Sequence, residues 1–474
     1  MGNNPFRKSP SLPRKFPHDA GTHLGRAIFA PDWTVIPVCE VYVTHFGNIK
    51  MFKKAFRSLS LRSNPTYPLT QEQADNLPAR TVARYAGTRC PEDVLSIPVL
   101  EQSPEQVARF KHQNRGQFLA RQERWAELIE EVRRADRERI TTPAGMPISD
   151  LLLFGARADV VHAVEHALFD GTPPKDAPLL EGISAFEALL LEFPNDPVVA
   201  LIVAMSHIDI AWAWRGAGWD ATVPKPNRRA FSEHMQRANE LLSPYCGVEL
   251  DSPALASARC ALFAGLQQAE RRLADEYEDL IDLDPGNHRH MRAMGNHLLP
   301  RWFGSYQDLE LEARRTAART QDLWGHGGYA WVYFDAIAVD DEACALVDVE
   351  FFIDGLRDII KTRPDQEMAN LLASYCAVAI HHGMGANERA DLNRVQIAEC
   401  AKWLIRDHIT EVYPLVWAHA AEGFDNNARI TSIARFAARG KADAMQAISE
   451  QFRDDIEAGL RVTFTANGPE LHST

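Results

Sequence analysis

His162, Glu165 and His166 stand together in the phrase HAVEH, a spacing that can do chemistry. On a helix the two imidazoles lie one turn apart and could share a zinc ion, leaving Glu165 to activate a water as general base. A third protein ligand would complete such a site. Glu240 lies at a plausible distance along the chain, but its setting, RANELLSPYC, lacks paired glutamates. The same residues also fit an ordinary amphipathic helix with Val161, Val164 and Leu168 turned inward.

Two further clusters suit binding rather than catalysis. Residues 207–219, HIDIAWAWRGAGW, bring together Trp212, Trp214, Arg215 and Trp219, with Gly216 and Gly218 placed to close a helix. Tryptophan and arginine are favoured anchors for a bound segment, so this stretch reads as a groove floor or as a core between helices with Arg215 capping carbonyls. Arg301 and Trp302 follow Pro300, which ends or bends a helix and would present a guanidinium and an indole at the break. Alternatively Trp302 fills the gap and Arg301 pairs with an acidic neighbour.

Other candidates lack their context. His288, His290 and His297 have no adjacent cysteine, and solvated turn histidines are the expectation there rather than a metal site. His381 and His382 precede Gly383 and Gly385, but Glu388 occupies the place of the third glycine of a dinucleotide fingerprint and no strand precedes. Gly440 and Lys441 lack the upstream glycine of a phosphate loop, and no serine sits in a GxSxG elbow. The run Asp340, Asp341, Glu342 reads as a solvated turn or helix N-terminal charge. No cofactor is expected.

The elements that would position these residues are helical. Trp125, Leu128, Ile129 and Val132 recur at i, i+3, i+4 and i+7, as do Phe186, Leu189, Leu190 and Phe193, and Ile397, Cys400, Ala401 and Leu404. Alternating patterns are confined to residues 34–46 and 461–465, too little for a sheet-based enzyme. Proline-marked helix starts recur at Pro104 (SPEQVARF), Pro194 (FPNDPVVA), Pro285 (LDPGNHRH) and Pro364 (TRPDQEM), at spacings of 90, 91 and 79 residues. Each spacing is about two helical hairpins of roughly 34 to 45 residues. One hairpin cannot bury its apolar face alone, so such units stack.

The chain has 474 residues, 46% hydrophobic and 24% charged, enough for a substantial interior. Net charge is −13, yet residues 1–62 hold ten Lys/Arg against three Asp/Glu, so the rest is more acidic still. An acidic body argues against nucleic acid as a partner. Cys39, Cys90, Cys246, Cys260, Cys344, Cys376 and Cys400 form no CxxC pair and read as reduced core residues of a cytoplasmic protein. The longest apolar run, 197–205, is too short to span a bilayer, and no signal-peptide pattern opens the chain. Met51 begins MFKKAFRSLSLRS and reads as a natural start, which makes residues 1–50 a disordered or non-native extension. Residues 52–62 form a basic amphipathic stretch that could touch an anionic membrane surface.

Two resemblances follow from these phrases. VVHAVEHALFDGT is similar to the signature of inverted-motif zinc peptidases at His162, Glu165, His166, Leu168, Phe169, Gly171 and Thr172, which implies a metallohydrolase. LIDLDPGNHRHMRAMGNHLL resembles a tetratricopeptide helix turn and first helix, with Met294 and Gly295 as its large-then-small pair. Its continuation LLPRWFGSYQDLELEARRTAART looks like a bacterial domain family of unknown function with a Leu-Pro-Arg-Trp-x-Gly-Ser phrase. This second resemblance implies adapted helical repeats and supplies no activity.

The expectation is therefore an all-α fold, an α-solenoid of stacked helical hairpins over residues 103–460. An arm with a short basic helix, 51–102, precedes it, and a disordered tail, 461–474, follows. The expected function is a noncatalytic interaction scaffold holding a protein or peptide segment in a groove, with Trp212, Trp214, Arg215, Trp219, Arg301 and Trp302 as groove candidates. The alternatives are a zinc hydrolase using His162, Glu165, His166 and Glu240, and a membrane-surface adaptor using residues 52–62.

Overall fold

Helix α1, Pro104–Arg121, begins where the sequence marks it. Ser103 caps it, and Ser103 and Gln106 exchange side-chain and backbone hydrogen bonds in a capping box with Pro104 in the first turn. The computed structural model describes residues 94–168, 181–216, 223–265, 272–380, 387–422 and 432–473. The readings on residues 1–50, Met51, 52–62, most of the 51–102 arm, Trp219 and 381–385 lie outside these residues.

The chain is all-α in its body. After α1 come α2 (Trp125–Arg137), α3 (Ile148–Ala167), α4 (Glu181–Glu192), α5 (Pro197–Arg215), α6 (Lys225–Leu242), α7 (Pro253–Ala261) and α8 (Leu273–Leu283). Then follow α9 (His288–His297), α10 (Tyr306–Arg319), α11 (Gly327–Val339), α12 (Val349–Thr362), α13 (Gln366–Ser374), α14 (Glu388–Ala398), α15 (Pro414–Glu422) and α16 (Ile433–Gln451). Neighbours pack pairwise, α1 on α3, α5 on α6, α9 on α11 and α15 on α16. This is the arrangement of a helical-repeat fold, in which each pair buries its apolar face against the next.

The other marked starts differ in detail from the first. Asp196 caps α5 with Pro197 in the first turn, so Pro194 belongs to the preceding turn. Asn287 caps α9 and Asp365 caps α13, so Pro285 and Pro364 also stand outside their helices. In each case a side-chain oxygen takes an otherwise orphan backbone N–H.

Two large apolar cores run through the described residues, beside a small cluster of Leu415, Ala418 and Phe436. One joins α2 to α7 through Leu128, Ile202 and Leu242, and the other joins α8 to the C-terminus through Tyr277, Trp331 and Val462. The sequence of α11, GGYAWVYFDAIAV, is apolar on every side, and the helix is buried on every side. Gly295 of α9 lets it approach, because a Cβ there would stand 1.8 Å from the carbonyl oxygen of Val332. Arg292 of α9 donates to Asp335 of α11 through Nε and Nη2, both at 2.8 Å, in a fully buried ion pair. Helix α5 is long and apolar enough to cross a membrane by length and composition, but most of it is buried within the fold.

Two expectations are corrected here. The tail expected at 461–474 is not disordered over its described residues, 461–473: Leu460–Thr465 (β2) and Gly468–Ser473 (β3) form an antiparallel hairpin. Leu95–Ser96 (β1) joins it in parallel, Leu95 opposite Val462. The alternation at 461–465 is the physical reason, since it turns Val462 and Phe464 inward, where Phe464 meets the edge of Phe452 at 5.8 Å. His288, His290 and His297 are not solvated turn residues either, being only 3%, 3% and 1% exposed. They lie on a helix packed against α8, α10 and α11. Of the described cysteines, Cys260, Cys344, Cys376 and Cys400 are buried and free, whereas Cys246 is exposed.

Candidate binding pocket

The HAVEH residues lie on the solvent face of α3. Val161, Val164 and Leu168 are buried, and His162, Glu165 and His166 are exposed. Glu240 lies on α6, where it accepts from Gln236 and Arg237. Among the described residues no three His, Cys, Asp or Glu side chains are grouped so that they could hold a metal ion.

The described contacts of the two aromatic clusters are local. Trp212 meets Phe231 of α6 edge-on at 5.3 Å, and the guanidinium of Arg215 lies 5.5 Å from the Trp212 ring. The carbonyl of Trp214 accepts from Asn227 at 2.7 Å. These half-buried side chains close the α5–α6 hairpin. Arg301 is exposed in the turn after α9, and half-buried Trp302 packs beside Phe303 at 6.0 Å. The three histidines of α9 diverge. His288 stacks on Trp331 at 4.2 Å, His290 meets Asn287 at 3.0 Å, and His297 meets the Tyr277 hydroxyl at 2.7 Å.

What the fold does bring together is a pocket of about 670 Å³, open mouth included, lined by residues of α1, α9, α13, α15 and their connections. Three of the four proline-marked helix starts meet there. SPEQVARF supplies Arg109, LDPGNHRH supplies His288 and Arg289, and TRPDQEM supplies Arg363, Asp365, Glu367 and Met368. The loop after α2 adds Ala144, and α15 adds Val416 and His419.

Glu105 anchors one wall. Its Oε1 accepts from Arg109 Nε at 2.5 Å and from the Thr142 hydroxyl at 2.8 Å, and its Oε2 accepts from the Ala144 N–H at 2.7 Å. Burial works against its charge, but the Arg109 guanidinium, the Ala144 N–H and Arg289 outweigh it and hold the carboxyl below its usual range. Glu105 is therefore an ionised strut for the loop over the pocket. Arg363 works from the other side, donating through Nε to Asp365 at 2.9 Å and through Nη2 to the Pro143 carbonyl at 2.9 Å. Arg289 reaches the Gly145 carbonyl at 3.5 Å.

Glu367 is the opposite kind of carboxyl. Its Oε2 is sealed from solvent and has no hydrogen-bond partner. Burial is the largest influence and pushes the group up to about 7, with Arg109 and Ser103 opposing and Glu105 and Asp365 adding to the rise. Two nearby carboxyls are thus pushed apart in acidity by their surroundings. His288 is held well below its usual range by burial and by Arg289, Arg292 and Arg363, so its imidazole is neutral.

The arrangement can recognise an anion. Guanidinium groups fixed by carboxylates and backbone carbonyls need little reordering to meet a carboxylate or phosphate. None of these lining residues stood among the groove candidates. The available signal was the recurrence of Arg, Asp and Glu beside the helix starts, which reads as capping until the chain is folded. Comparison with protein-family models, with curated proteins and with solved structures gives no match.

Proposed function

We propose that the chain is a noncatalytic interaction scaffold that holds a segment of a protein or peptide partner, with the pocket at Arg109, Arg289 and Arg363 as its anchor point. The helical-repeat architecture supports this reading, because stacked hairpins offer extended concave surface to a partner. The single observation that carries it is the pocket itself, where cationic groups from three separate helix starts sit beside the aliphatic side chains of Met368, Leu371 and Val416. A mixed lining of this kind suits an acidic group presented on a longer chain. The anchor thus moves away from Trp212, Arg215, Arg301 and Trp302.

Leu371→Trp, which fills the pocket and removes no charged residue, provides the test. Quantitative affinity capture from the source cells should lose specific partners with Leu371→Trp and keep them with Trp212→Ala. An identical partner set for the wild type and Leu371→Trp would overturn the reading.

A further inference from the structure

We propose that the Nε2 atom of His234 is an acceptor site for a phosphoryl group, with His207 and Glu187 as its positioning residues. The site is built from α4, α5 and α6, shares no residue with the pocket, and stands independently of the scaffold reading. Glu187 of α4 accepts from Arg237 of α6 through both oxygens, at 2.8 and 2.7 Å, and its Oε1 meets His207 Nε2 of α5 at 3.0 Å. His207 Nδ1 in turn meets His234 Nδ1 of α6 at 2.8 Å, with the ring centroids 5.0 Å apart.

These contacts place every proton in the relay. The Arg237 guanidinium holds the Glu187 carboxyl below its usual range, so it is an ionised acceptor and His207 carries hydrogen on Nε2. Burial keeps His207 below its ordinary range against the pull of Glu187, and the neutral ring then has its lone pair on Nδ1. The hydrogen between the two rings must therefore come from His234 Nδ1, which leaves the lone pair of His234 on Nε2. That atom has no hydrogen-bond partner among the described residues and is not sealed from solvent. Burial and then His207 hold His234 down at about 4, with Glu233 opposing, so the lone pair is unprotonated at neutral pH.

A neutral imidazole nitrogen is a nucleophile, and its attack puts positive charge on the ring. In transfer from an acyl phosphate the Nε2–P bond forms, the P–O bond to the acyl group breaks, and the carboxylate leaves with that electron pair. The ring becomes a phosphorylated imidazolium whose Nδ1 proton is shared with His207, while Glu187 accepts from His207 and offsets the charge. Arg237 stands one turn beyond His234 on α6, which suits anionic phosphoryl oxygens better than a neutral acyl group. The anions beside His234 on that helix are paired, Glu233 with Arg229 at 2.7 Å and Glu240 with Arg237 at 3.4 Å. Among the described residues no group of three ligands forms a metal cage here, so what the relay offers is a single nitrogen.

Labelling of the full chain with acetyl phosphate tests the proposal, with the phosphate on each histidine followed over time by mass spectrometry in alkaline solution, where phosphohistidine survives. His166, on the exposed face of α3, is the internal reference. In the wild type His234 should be phosphorylated about tenfold faster than His166, at a rate unchanged between pH 6 and pH 8. Glu187→Gln keeps an acceptor for His207 but removes the charge, and should slow His234 about tenfold while leaving His166 as it was. Diethyl pyrocarbonate, which delivers a neutral acyl group, is run in parallel. A wild-type His234 no faster than His166 with acetyl phosphate would overturn the proposal, and a preference for His234 with diethyl pyrocarbonate alone would overturn the phosphoryl assignment. A His234 rate that climbs from pH 6 to pH 8, or one that Glu187→Gln leaves unchanged, would rule out the relay. The ratio of the two histidines is read within the wild type, so the outcome does not depend on the variant folding.

Discussion

Arg363 Nη2 donates to the carbonyl oxygen of Pro143 at 2.9 Å, joining residues 220 positions apart in the chain. The same guanidinium holds Asp365, the cap of α13, so the start of one helix and the loop over the pocket share one fixed group. Close by, Arg289 at the start of α9 reaches Gly145 in that loop. The pocket roof is therefore tied down by the residues that line its floor. Strand β1 and the bridge between Val99 and Val412 add backbone ties between the segment before α1 and the C-terminal part of the chain.

The buried pair of Arg292 and Asp335 gives a prediction about stability. Arg292→Met should leave Asp335 enclosed and uncompensated and cost about 3–5 kcal/mol, whereas Arg292→Met with Asp335→Leu should recover most of that loss. Urea unfolding of the two variants checks it; equal losses in the single and double variants would contradict the pairing.

Glu367 gives a pH-dependent one. Its folded value is raised from 4.5 to about 7, so the folded chain binds the extra proton between those limits and stability falls as pH rises through that window. The loss is complete above about 7. Glu367→Gln should therefore gain on the wild type progressively from pH 4.5 to 7 and hold a constant gain at pH 8, with a ceiling of about 3 kcal/mol. Unfolding free energies at pH 4.5, 6 and 8 measure this; a difference independent of pH would refute it.

The C-terminal hairpin should matter to the fold. Ending the chain after Gly459 removes Val462 and Phe464 from the core and leaves Leu95 without its strand partner. Burial of two such side chains is worth roughly 3–6 kcal/mol, so melting should occur well below the full-length value. An unchanged melting temperature would mean that 460–473 does not pack as described.

Gly295 tests the α9–α11 contact. A Cβ there would collide with the Val332 carbonyl oxygen, whereas one at Gly286 has nothing within 4 Å. Gly295→Ala should cost about 1–3 kcal/mol or more by forcing the helices apart, and Gly286→Ala should stay within about 0.5 kcal/mol. Denaturant titration compares them directly.

Much of the fold was legible because its signals are local. The stripes at Trp125 to Val132 and Phe186 to Phe193 gave helices, and the prolines at 104, 194, 285 and 364 pointed to within a few residues of helices that Ser103, Asp196, Asn287 and Asp365 cap. The hairpin at 460–473 was half visible: the alternation was there, but its partner Leu95 lies at the far end of the described chain. The pocket was not legible. Arg109, Arg289 and Arg363 lie 180 and 74 residues apart in turn along the chain, and each has a sufficient local reason to be where it is. Only the packing of α1, α9 and α13 reveals that the three helix starts converge. Conversely, Trp212 and Trp302 drew notice by residue type, which says nothing about whether an indole faces a groove or a neighbouring helix.

The most direct test of the central claim is site-specific photocrosslinking from His419, in the pocket lining, and from His162, on the solvent face of α3. A partner peptide should be captured from position 419, should carry an Asp, a Glu or a chain-terminal carboxylate at the crosslinked site, and should vanish when Leu371→Trp is added. Equal capture from position 162, or capture at 419 that persists with Leu371→Trp, would contradict the account.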